Sequence, residues 1–148
     1  MEVFNEMGIK TLKHDIGSED FWIVHGIDSK ICICEVKGKD GSIKRQDIRD
    51  FEPNREAAGK DENFPSLLIA NTHNKANTLQ DKDRPIDSNV IEYASRNNIL
   101  IIRTLDLLKI LDMYQSSIIT KQEIVDKIIS PTGGWVKIKD HEIKIVAK

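Results

Sequence analysis

Residues 31–38 read Ile-Cys-Ile-Cys-Glu-Val-Lys-Gly. Four apolar side chains in succession call for cover on both faces, so a strand here belongs in the centre of a sheet. The strand then ends on a carboxylate and an ammonium two residues apart, just before a glycine. Side chains two apart on a strand share a face. Glu35 and Lys37 therefore point the same way at the strand's end, and Val36 faces the opposite layer.

The 148 residues fit one domain with a sizeable core. Hydrophobic content is 39% and charged content 31%, an ordinary globular balance rather than a disordered one. The formal net charge is −2. No global basic field exists, and an anionic partner must be held by a local patch. Cys32 and Cys34 lack the spacing of a zinc site, and cysteines two apart on one strand rarely bridge. A reduced, cytoplasmic core is the expectation. No signal-peptide pattern and no apolar run of membrane-spanning length are expected in the chain.

Residues 1–8 read as the end of a helix closed by Gly8. Strands are expected over Ile9–His14, Phe21–His25 and Ile31–Lys37, the last two joined by a turn at Gly26-Ile27-Asp28-Ser29. Ser42 is placed to cap a helix with Ile43, Ile48 and Phe51 inward, restarting at Pro53. Leu67–Ala70 and Ile99–Ile102 are short buried strands, and residues 71–87 a polar loop. A helix follows a cap at Asp87, Ser88 or Asn89, with Val90, Ile91 and Ala94 inward. Another follows Thr104, with Leu105, Leu108 and Leu111 on one face. Thr120-Lys-Gln-Glu123 is a capping box, and residues 135–146 form a hairpin around Asp140-His141. The order predicts an α/β fold, one sheet between helices. Residues 1–116 are assigned to the main domain, and residues 117–148 to a C-terminal helix and hairpin packed on it.

A lone carboxylate is a weak site for a hard cation such as magnesium, so a second should converge on Glu35. Counting back from the turn at 26–29 puts Asp20 roughly opposite Val36, with Glu19 as the fallback ligand. Asp20, Glu35 and Lys37 together suit phosphodiester hydrolysis. Two carboxylates hold a divalent metal that polarises the scissile phosphate and acidifies a bound water. The lysine orients that water or stabilises developing charge, provided no tight salt bridge neutralises it.

Asp20 followed across a turn by Glu35-Val36-Lys37 resembles the PD-(D/E)XK nuclease superfamily, the restriction-endonuclease-like group. Further matching pieces are Glu19-Asp20-Phe21-Trp22-Ile23, Gly41-Ser42-Ile43, Asn71, Arg84 and Thr104-Leu105-Asp106-Leu107-Leu108. The likeness covers residues 6 to about 115 and is strongest toward a bacterial and archaeal group. It implies a mixed sheet flanked by helices, Mg2+ or Mn2+, DNA cleavage, and Asp20, Glu35 and Lys37 as the catalytic set. It also implies a longer opening helix bearing another acidic residue, for which Glu2 and Glu6 are the candidates here.

Lys39, Lys44, Arg45, Arg49 and Arg84 are candidate contacts to DNA phosphates. Asn71 and His73 are candidate substrate contacts, and Gln46 a candidate helper. His14, His25, Trp22 and Trp135 are expected to be structural. The alternative to the nuclease is an inactive nuclease-like domain that binds DNA or protein, with a homodimer as a further expectation from the short opening helix. A third reading, a plain scaffold with a surface Glu35–Lys37 pair, requires Asp20 and Glu35 to diverge in space.

Overall fold

The computed structural model describes residues 1–13, 20–27, 29–129 and 133–147. Seven strands form one mixed sheet in chain order: β1 Thr11–Lys13, β2 Phe21–His25, β3 Ser29–Gly38, β4 Ser66–Asn71, β5 Ile99–Arg103, β6 Gly134–Lys139 and β7 Glu142–Val146. β1, β2 and β3 run antiparallel, β3 to β6 run parallel, and β7 returns antiparallel on β6. β3 is thus the strand where antiparallel pairing gives way to parallel pairing. It is also the longest, at ten residues.

Helices cover both faces, and the alternation along each strand sorts side chains between them. Phe21, Ile23, Cys32, Cys34, Leu67, Ile69, Leu100 and Ile102 face one layer. It is built from α1 (Glu2–Glu6), α6 (Thr104–Gln115), α7 (Lys121–Ile124) and a wider π turn over Val125–Ile129. Trp22, Ile33, Leu68, Ala70, Ile99 and Ile101 face the other layer. That layer is built from α2 (Arg45–Arg49), α3 (Glu52–Ala57) and α5 (Ser88–Arg96). Each large aliphatic side chain fully buried this way contributes about 1.5–3 kcal/mol relative to exposure. β6 pairs with β5 and Trp135 joins the α5-side core, so the C-terminal hairpin extends the same sheet.

Local chemistry explains several boundaries. Helix α2 starts later than expected: Lys44, two residues on, is its N-cap rather than Ser42. The cap comes from Asp47, whose Oδ2 accepts the Lys44 N–H at 2.8 Å. Pro53 sits in the first turn of α3, where its missing N–H costs nothing. Thr104 is the first residue of α6 rather than its cap, a position held by Arg103. The capping box at Thr120–Glu123 forms as the spacing predicts. The polar loop after β4 holds a short helix, α4 (Leu79–Lys82), capped by Thr78. Asp140 and His141 take φ of 50° and 60°, as a two-residue hairpin turn with the twist of its strands requires. Gly133 lets β6 close on α5, since a Cβ there would lie 2.6 Å from the Ala94 carbonyl oxygen.

No helix among the described residues is long and apolar enough to cross a membrane. His14, Glu19 and Asp28, which the sequence reading singled out, lie outside the described residues.

Candidate metal and phosphodiester site

The end of β3 is where the pieces meet. Phe21 pairs with Cys34 and Trp22 with Ile33, so Asp20, one residue earlier, falls beside Glu35 rather than opposite Val36. The difference has a definite cause. The β2–β3 turn is tighter than counted and closes His25 on Ser29, while an irregularity at Ile23/Val24 returns one residue on the β3 side. Asp20 is fixed by both ends of its residue. Its N–H donates to the Cys34 carbonyl at 3.1 Å, and its Oδ2 accepts the Val36 N–H at 2.6 Å. The carboxylate therefore lies at the strand's mouth, exposed, alongside the Glu35-Val36 peptide.

Glu35 is buried, with 8% of its surface exposed. The α2–α3 segment folds over it because Ile48 and Phe51 anchor that segment in the core. Asn54, one turn beyond Phe51, is carried over β3 and hydrogen-bonds the Glu35 carboxyl. Glu35 Oε2 meets no hydrogen-bond partner among the described residues. Burial pushes the Glu35 pKa up. The Asn54 bond and the Lys37 charge oppose that shift, and the nearby Asp20 and Asp50 charges add to it. A buried carboxylate oxygen with nothing to meet it is costly and uncommon in folded proteins.

Lys37 shares the face of Glu35, as the two-residue period requires, but it is held by carboxylates. Its Nζ lies 3.3 Å from Asp50 Oδ2 and 3.6 Å from Asp47 Oδ1. Asp47, itself buried, also takes Lys39 Nζ at 3.2 Å. Gln46 donates to Asp50 Oδ1 at 2.8 Å. That bond and the bond from Lys37 hold the Asp50 pKa down. The expectation of an unpaired lysine thus fails in this state, and acidic residues on α2 are the reason. Asp47, Asp50 and Asn54 are the site residues the sequence reading missed. Their spacing of three and then four residues is the signal, since it puts them on one helical face beside Ile48 and Phe51.

The expected phosphate contacts are dispersed. Lys39 belongs to the Asp47 cluster, and Arg84 pairs with Asp81 at 3.1 Å. Lys44 lines a polar hollow of about 430 Å³ with Gly38, Lys39, Asp40, Gly41 and Ser42. The Arg45 and Arg49 guanidinium groups lie over the Tyr93 ring. The turns after β3 and β4 are bound together next to this hollow. Lys39 N–H donates to Asn71 O at 2.9 Å, and His73 N–H to Gly41 O at 3.0 Å. His73 takes a φ of 48°, a left-handed conformation unusual outside glycine. A larger groove of about 760 Å³ lies elsewhere, between α4, α6 and the hairpin, walled by Leu79, Leu105, Leu108, Met113 and Ile138.

Among the described residues, no group of three or more His, Cys, Asp or Glu side chains converges to hold a metal ion. The pair Asp20 and Glu35 still fits magnesium. That ion keeps several waters and takes only one or two carboxylates, the remaining positions going to substrate phosphate oxygens. No protein-family model, no curated protein and no solved structure matches this chain.

Proposed function

We propose that this protein is a metal-dependent nuclease that hydrolyses DNA phosphodiester bonds, with a restriction-endonuclease-like fold. The observation that carries the reading is the buried Glu35 oxygen without a partner, beside an Asp20 carboxylate fixed at the same strand end. Asp20 and Glu35 would hold Mg2+ or Mn2+. A divalent cation there polarises a phosphate and acidifies a bound water. Asn54 fixes the Glu35 carboxyl so that Oε2 is presented. Lys37, on the face of Glu35, would orient the attacking water or stabilise the charge that develops on the phosphate. Asp47 and Asp50 hold the lysine head until substrate arrives and set its position between two anchors. The mixed sheet with helices on both faces agrees with the fold this superfamily implies.

One observation favours a second reading. The Lys37 ion pairs with Asp47 and Asp50 are what a nuclease-like module that no longer cuts would retain. A cleavage assay on supercoiled and linear duplex DNA, with Mg2+, Mn2+ or EDTA, separates the two. The nuclease cleaves only with metal; Glu35→Gln abolishes cleavage, and Lys37→Met lowers it about 10²–10³-fold. Cleavage that survives in Glu35→Gln, or none by the native chain with either metal, overturns the nuclease reading.

A further inference from the structure

Helix α2 has two flanks of opposite charge. Asp47 and Asp50 turn toward the end of β3 and hold Lys37. Arg45 and Arg49, one turn apart, lean instead toward α5 and close on a single ring. Arg45 Cζ lies 4.6 Å from the centre of the Tyr93 ring, and Arg49 Cζ lies 5.8 Å from it. Both arginines are exposed, and among the described residues neither meets a carboxylate. Several other basic side chains differ. Lys37, Lys39, Lys75, Arg84, Arg96 and Arg103 each have an acidic partner.

Like charges four residues apart on a helix repel. The negative face of the tyrosine ring offsets part of that repulsion and fixes both side chains. A guanidinium held by a ring rather than by a carboxylate keeps its N–H donors for other partners. Two such forks, side by side and without carboxylates, are preorganised for the paired oxygens of phosphodiesters. With a net charge of −2, the chain has no global field to gather a polyanion, so a local cluster of this kind has to do so.

We infer that the Arg45–Tyr93–Arg49 stack is a docking point for the phosphate backbone of duplex DNA, on the flank of α2 opposite Asp47 and Asp50. The choice of DNA as the polyanion rests on the proposed nuclease function.

The test is binding of a fluorescent duplex to the full chain in EDTA, followed by anisotropy across a range of salt concentrations. Three variants accompany the native chain: the double variant Arg45→Gln/Arg49→Gln, Tyr93→Phe and Tyr93→Leu. Melting temperatures taken alongside reveal any loss of fold. The double variant should bind more weakly, and its plot of log affinity against log salt should flatten by about 0.9 for each phosphate that is no longer neutralised. Tyr93→Phe keeps the ring and should bind as the native chain does. Tyr93→Leu keeps both charges and should still bind more weakly. An unchanged salt slope in the double variant, with only the melting temperature lowered, would make the stack a staple between α2 and α5 and overturn the inference. So would a native chain that does not bind duplex at low salt. The two proposals fail differently. If the nuclease reading alone is wrong, arginine-dependent binding persists and added Mg2+ produces no cleavage. If the docking point alone is wrong, metal-dependent cleavage persists with a salt slope indifferent to the arginines.

Discussion

Two charged clusters are buried at the carboxyl ends of parallel strands, on one face of the sheet. Lys37 of β3 pairs with Ala70 of β4, and Ala70 with Arg103 of β5, so the clusters lie two strands apart on a common row. Among the described residues Trp135 Nε1, beside Arg103, meets no hydrogen-bond partner, but every nitrogen of the Arg103 guanidinium has one. Its Nε meets Asp106 at 3.2 Å, its Nη1 the Arg84 carbonyl at 2.8 Å, its Nη2 Asp83 at 2.7 Å, and its plane covers the Trp135 ring. The Glu35 cluster is incomplete: Oε2 has no partner, and the carboxyl's affinity for a proton is raised. A buried charge with a partner at each nitrogen holds the loop after β4 against the start of α6. We read the unmatched acceptor of Glu35 as the place the proposed metal would take. Burial and charge alone do not separate structure from function. For Arg103 and Glu35 the difference lies in how far each hydrogen-bond set is filled.

The contrast can be broken at its strongest point by Arg103→Ala. That change leaves the buried Asp106 carboxylate with Lys109 alone, 3.6 Å away, and should cost about 3–5 kcal/mol in denaturant unfolding. A loss below about 1 kcal/mol would remove Arg103 as a structural clasp. Lys37→Met touches the other cluster and should act on rate rather than on fold. DNA cleavage should fall about 10²–10³-fold, while divalent-metal binding and the unfolding midpoint stay near native. Equal losses of metal binding and cleavage would place Lys37 among the ligands instead.

Glu35→Gln should do the reverse of Arg103→Ala. Removing a charge that the fold buries should stabilise the metal-free protein at neutral pH, on the order of 1 kcal/mol. The pH dependence follows the same logic. Folded Glu35 keeps its proton to higher pH than the unfolded chain, whose value is near 4.5. Between those two values the folded state binds more protons, so stability falls as pH rises through the window. Unfolding midpoints of the native chain should show that fall. The Glu35→Gln variant should lack it, and saturating Mg2+ should offset it in the native chain only. The smallest expected effect is at the exposed pair of Lys75 and Asp40, 3.3 Å apart. Lys75→Gln should change stability by no more than about 0.5 kcal/mol. A larger change would mean that the turns after β3 and β4 matter more than their exposure implies.

What the sequence made legible was whatever rests on short-range periodicity. The β2 and β3 strands, the shared face of Glu35 and Lys37, the Thr120 capping box and the Asp140-His141 turn all follow from neighbours a few residues apart. Register was legible only to within one residue, because the tight turn and the irregularity at Ile23/Val24 leave no pattern in composition. Lys37 looked free because its partners, Asp47 and Asp50, lie beyond a loop. Read as alternating surface charge, that segment hid a face that also carries Ile48, Phe51 and Asn54 into the site. The Arg103 clasp was out of reach for the same reason. It joins β5 to Asp83 and the Arg84 carbonyl, some twenty positions away, and no local rule announces such a pair.

The most direct test of the central claim is calorimetric titration of the native chain and Glu35→Gln with Mn2+ and with Mg2+. Saturable binding by the native chain, absent in a folded Glu35→Gln, is the predicted result. No binding by the native chain, or equal binding by both, would contradict the assignment of the unmatched Glu35 oxygen to a divalent cation.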